Sequence, residues 1–142
     1  MATAYSALSL YYLLHSEDAM SDSAQHLSLK LRRANNDNFG IARSLFFSGL
    51  CKLCQGDTER SIKLFLEAVD SFTQIGDLWE INNTNSFLVL AYLYAGEYEK
   101  CEKLSLEVIE ISKKIKDSLA QCQAYSALIR SSPYVRLKSV VI

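Results

Sequence analysis

Ala4-Tyr5-Ser6-Ala7-Leu8 returns letter for letter as Ala124-Tyr125-Ser126-Ala127-Leu128, three periods of forty residues later. The same spacing separates Gly56 from Gly96, and Asp37 from Asp77 and Asp117. A fixed interval of this size marks a repeat array, in which one small unit is stacked on copies of itself. Written in rows of forty, Asn36-Asp37-Asn38-Phe39, Gly76-Asp77-Leu78-Trp79 and Lys116-Asp117-Ser118-Leu119 share one set of columns. Each opens a run with helical spacing of apolar residues. Leu45, Phe46, Gly49, Leu50 and Leu53 mark one run; Phe87, Leu88, Ala91, Tyr92 and Tyr94 mark the next. Recurrence at i, i+3 and i+4 is the signal of an amphipathic helix.

Each run meets a break, at Gln55-Gly56-Asp57 and at Ala95-Gly96-Glu97. Glycine closes a helix in the left-handed conformation, and the acid after it suits the start of the next. His15-Ser16-Glu17-Asp18 occupies the slot in the first row without the glycine, which makes it a weaker turn. A second helix follows each break. Ala24, Leu27 and Leu31 mark the first and more polar copy. Ile62, Phe65, Leu66, Val69 and Phe72 mark the second, and Cys101, Leu104, Val108, Ile109 and Ile115 the third. The pattern predicts helices near 2–15, 18–34, 38–55, 57–75, 78–95, 97–115 and 118–131. The fold class is all-α: a right-handed α-solenoid of about three antiparallel pairs and a terminal helix. Repeats fall near 2–36, 37–76 and 77–116, with a partial one at 117–131 and a tail at 132–142.

The bulk properties narrow the function. Apolar residues make up 49% of the 142, enough for a core, and one proline with five glycines argues against a disordered chain. The net charge of −1 gives no electrostatic footprint for nucleic acid. No apolar run reaches the roughly 18 residues of a membrane span. Met1 to Leu14 is apolar but lacks the basic start of a signal peptide. Four cysteines do not make a disulfide scaffold, so the expected location is cytoplasmic with reduced thiols. Asn82-Asn83-Thr84 is formally a glycosylation sequon, which competes with an ordinary polar helix face.

On these residues the chain resembles the tetratricopeptide repeat family. The family's first helix carries a small residue facing its partner helix: Gly49 supplies it in one repeat, while the next has Val89 with Ala91 beside it. Tyr92 matches the aromatic one turn on, where the other copy has Lys52. Gly56-Asp57 and Gly96-Glu97 match the glycine turn, and Tyr98 the aromatic after it, where Thr58 departs. Ser61, Phe65 and Ala68 match the second helix well; Cys101, Ser105 and Val108 match it loosely. The closing proline is absent, and the period is forty rather than about 34 residues. Such long repeats resemble those of kinesin light chains, signalling ATPases and soluble adenylyl cyclases. An unrelated α-solenoid with two helices per repeat is the alternative.

The resemblance implies a protein-interaction scaffold whose first helices line a concave groove. That groove would take a peptide or helix from a protein partner. It would show Arg43, Phe46, Phe47, Leu50 and Cys54, then Asn83, Ser86, Phe87, Leu90 and Tyr94, with Leu10, Leu13 and Leu14 continuing it. Each of these also fits the core between repeats. Family members that clamp a terminal carboxylate carry basic and amide side chains there; Arg43 and Asn83 alone correspond, so no such clamp is expected. A regulatory segment or shortened form of a larger signalling enzyme is the second functional reading.

Chemistry is sparse. Cys51-Lys52-Leu53-Cys54 falls late in a helix, where the dipole opposes thiolate, and a zinc half-site needs a second pair. A zinc or redox module is therefore the third reading, against small buried apolar residues. His15 and His26 lack an evident metal or nucleophile partner in the sequence. No phosphate loop, nucleophile elbow or HExxH occurs, so no catalytic, metal or cofactor residues are assigned and an enzyme is not expected. Pro133 stops the last helix, and Val140-Val141-Ile142 resembles a PDZ ligand. The terminal helix, with Leu119, Tyr125 and Leu128, lacks the polar face of a capping repeat. It predicts a fragment of a longer array, or self-association through that helix.

Overall fold

Residues of positive φ punctuate the chain at intervals of twenty: Ser16, Asn36, Gly56, Gly76, Gly96 and Lys116. Each follows a helix, and each precedes an acid at 17, 37, 57, 77, 97 or 117. The computed structural model describes residues 1–136. Seven long helices run through them: α1 (Ala2–Leu14), α2 (Asp18–Ala34), α3 (Asn38–Cys54), α4 (Thr58–Ile75), α5 (Leu78–Ala95), α6 (Tyr98–Ile115) and α7 (Ser118–Ser131). The protein is all-α, with no strand among the described residues. Sequence-predicted helix limits agree to within one residue, because the turn chemistry fixes them. Gly56 takes φ 80° at no steric cost, whereas Ser16 takes 58°, a conformation that costs an L-residue roughly 1–2 kcal/mol. The turns at Ser16, Asn36 and Lys116 thus have the shape of those at Gly56, Gly76 and Gly96 without the glycine.

The acids then start the next helices. Asp37 accepts from the Gly40 amide at 2.8 Å, Asp57 from Arg60 at 3.2 Å and Asp117 from Ala120 at 3.1 Å. Glu17 and Glu97 make no side-chain cap bond. The smallest structural period is therefore one helix and one turn, half the forty-residue period of the sequence.

The described residues form two compact units, Met1–Asp77 and a second that begins at Leu78. In the first, α1, α2, α3 and α4 pack in chain order, and α3 also touches α1. Phe65 and Phe72 of α4 are fully buried. Phe65 lies against Gly49 and, at 5.9 Å between centroids, against Phe46; Phe72 meets the Phe39 edge at 5.8 Å. Nearer α1 the core is built from small polar residues. Ser28 lies 2.9 Å from the Ser6 hydroxyl and 3.4 Å from that of Ser44, and donates to the Ala2 carbonyl at 3.0 Å. Ser9 and Ser21 pair at 3.0 Å, both beside Cys51 Sγ at 3.7 Å. Hydroxyls that satisfy one another let helices approach closely without an unpaired buried group.

In the second unit α6 packs on α5, and α7 on both. Val89, Ala91, Val108, Ala124 and Ala127 are fully buried. Asn82 donates to Ser112 Oγ at 2.9 Å across the α5–α6 seam. Beyond α7, Pro133 both ends one helix and opens another, for residues 133–136 are helical. The sequence reading gave them no element. The Arg136 guanidinium lies 3.9 Å from the Tyr98 ring centroid. Val140-Val141-Ile142 lies outside the described residues.

Candidate functional site

On α3, Phe39, Arg43 and Phe47 are spaced four apart and form one stripe. Thr3, Ala7 and Leu10 form a matching face on α1. Between the two lies an open depression of about 340 Å³, whose wall also includes Ser6 and Arg32. Its floor is mainly apolar. Arg43 is exposed, with its guanidinium carbon 6.0 Å from the Phe39 centroid and 5.6 Å from that of Phe47. Arg32 donates to Asp37 Oδ2 at 3.0 Å. A Cβ on residue 40 would fall 1.9 Å from Asp37 Oδ2 and 2.2 Å from Arg32 Nη1, so glycine at 40 is what lets this ion pair lie over the start of α3.

Of the residues assigned to a groove from the sequence, the first unit brings Arg43 and Phe47 together with Leu10 in this depression. Leu50 is half-buried and outside its lining. Phe46 is buried among aromatic rings of the core, 5.3 Å from Phe47 and 5.9 Å from Phe65. Cys54 and Leu14 are exposed and Leu13 is half-buried. In the second unit Asn83, Phe87 and Leu90 are half-buried. Ser86 is fully buried, its hydroxyl donating to the Asn83 carbonyl at 2.7 Å. Tyr94 is 56% exposed, with the Arg130 guanidinium 5.4 Å from its ring. Phe39, Thr3 and Ala7 were missed. Phe39 stands one helical turn before Arg43, so the spacing carries the signal, although the same residue also fits the turn column.

The remaining chemistry is local. Cys51 is buried between serines, and Cys54 is exposed. Burial, then the neighbouring Cys51, pushes the Cys54 thiol above its ordinary value, opposite to what a reactive thiolate needs. No group of three or more His, Cys, Asp or Glu that could hold a metal occurs among the described residues. His15 has Nδ1 2.8 Å from the Tyr11 carbonyl oxygen, with the two rings in contact. His26 lies at the α2–α3 cleft with Gln25 and Lys52. At the start of α6, Lys100 pairs with Glu97, whose hydrogen bond and charge raise the lysine pKa. No described helix is long and apolar enough to cross a membrane. Comparison of the chain with protein-family models and with curated protein sequences found no match.

Proposed function

We propose that the protein is a tetratricopeptide-like scaffold that holds a segment of a protein partner through the first helices of its repeats. The observation that carries this reading is the depression of Thr3, Ala7, Leu10, Phe39, Arg43 and Phe47. An apolar trough between two helices is the surface onto which an amphipathic or extended peptide lays its side chains. The contact between Gly49 and Phe65 supports the family reading, since it sets a small residue of one helix against a large one of its partner. Selection of a random-peptide display library against the folded protein tests the proposal. Enriched peptides are expected to lose binding to Phe47→Asp and Leu10→Asp variants whose circular dichroism is unchanged. A lack of enrichment over an unrelated helical protein, or peptides indifferent to both variants, overturns it.

A further inference from the structure

We infer that the segment held in this trough presents one carboxylate to Arg43, with an apolar side chain beside it; the inference rests on the scaffold reading above. The two arginines of the depression are in different electrostatic states. Arg32 is already neutralised by Asp37, whose other oxygen receives the Gly40 amide. Arg43 has no carboxylate within ion-pair distance among the described residues, and its side chain is exposed. Its charge faces the Phe39 and Phe47 rings instead. Attraction to a ring face leaves the in-plane N–H donors of a guanidinium available. The planar fork that rests near these two rings has a geometry that matches a carboxylate.

The balance of charge sets the number of acids. Arg32 and Asp37 cancel, so the depression carries one uncompensated positive charge. A single guanidinium fits one carboxylate; recognition of a phosphate group draws on clusters of arginines. The apolar requirement comes from Ala7, Leu10 and Phe47, which line the same depression as Arg43. A side chain there would remove apolar surface from water while the neighbouring acid meets the guanidinium. Excluding water from the pair would strengthen it.

The experiment uses the peptides selected above. They are expected to share one Asp or Glu next to an aliphatic or aromatic residue. Replacing that acid by its amide should weaken binding about tenfold or more, the range of a charge-assisted hydrogen bond. Arg43→Gln should cause the same loss with an unchanged melting temperature, because the side chain is exposed. Arg43→Glu should bind the peptide whose acid is replaced by Lys. Added salt should weaken the parent pair more than the amide peptide. Peptides that require Phe47 and Leu10 yet bind acid and amide forms equally, or ignore Arg43→Gln, would overturn this inference and leave the scaffold reading standing. If no peptide is selected, both fall together.

Discussion

A Cβ on Gly49 would lie 2.8 Å from Cδ1 of Phe65, so the absence of a side chain on α3 is what seats a fully buried ring of α4. Gly49→Ala gains about 1 kcal/mol of helix propensity. It also forces a ring with no free space to move, and overpacking of this kind costs roughly 1–3 kcal/mol. The net expectation is a lower urea midpoint for Gly49→Ala and partial recovery on adding Phe65→Leu. A midpoint raised by Gly49→Ala alone would show that the ring can shift freely.

Gln25 occupies in α2 the column that Phe65 occupies in α4, forty residues on. It is 4% exposed, and neither its amide nitrogen nor its amide oxygen has a hydrogen-bond partner. Burying an unpaired amide costs about 1–3 kcal/mol on the scale of protein mutations. Gln25→Leu is therefore expected to raise stability by about that amount, read from denaturant unfolding at constant m. Destabilisation would mean that the amide is hydrogen-bonded in solution.

Asp37, Asp57 and Asp117 each start a helix and accept a backbone amide there. Replacement of each by Ala should cost about 0.5–2 kcal/mol. Asp37→Ala is expected to cost most, since that carboxylate also holds Arg32. Asp57 also faces Arg60 at 3.5 Å, so Asp117 is the reference cap, and equal losses at Asp37 and Asp117 would indicate that the Arg32 pair contributes nothing.

Burial pushes the Cys101 thiol above its ordinary value of 9.0, with hydrogen bonds to Ser105 and Ser131 opposing in part. Burial also raises Tyr92 above 10.0, against the charge of Lys100. For an acid whose folded pKa is raised, the native state keeps the proton after the unfolded chain has lost it. The stabilisation is complete below about pH 9 and declines as the pH climbs further. Stability measured from pH 8 to 11 should therefore fall, less steeply in Cys101→Ala. Alkylation of the native protein followed by mass spectrometry should modify the exposed Cys54 and Cys122 and spare the buried Cys51 and Cys101. Rapid labelling of Cys101 would contradict the packing of α7 on α6.

The type and limits of α1 to α7 were legible because local rules set them. Left-handed turn residues and the acids after them act within a few positions, and the apolar spacing between them is helical. The serine core of α1, α2 and α3 was not legible. Ser6, Ser9, Ser21, Ser28 and Ser44 belong to none of the apolar runs, and only three-dimensional pairing reveals that each can satisfy another. Phe46 and Phe47 show the same limit at the site. Adjacent residues on a helix point about 100° apart. The sequence says that they diverge, but the position of α4 decides that Phe46 is core and Phe47 reaches the trough.

The repeated pentapeptide separates the two kinds of information. By itself the sequence determined that Ala4-Tyr5-Ser6-Ala7-Leu8 and Ala124-Tyr125-Ser126-Ala127-Leu128 are helical, and both are. It could not determine which face of each is buried. In α1, Ser6 is buried against α2, while Ala4 and Ala7 are exposed. In α7, Ala124 and Ala127 are fully buried, while Ser126 is exposed. Identical letters carry identical helix propensity, whereas burial depends on where neighbouring helices lie. α1 is packed by the helices that follow it, and α7 by those that precede it.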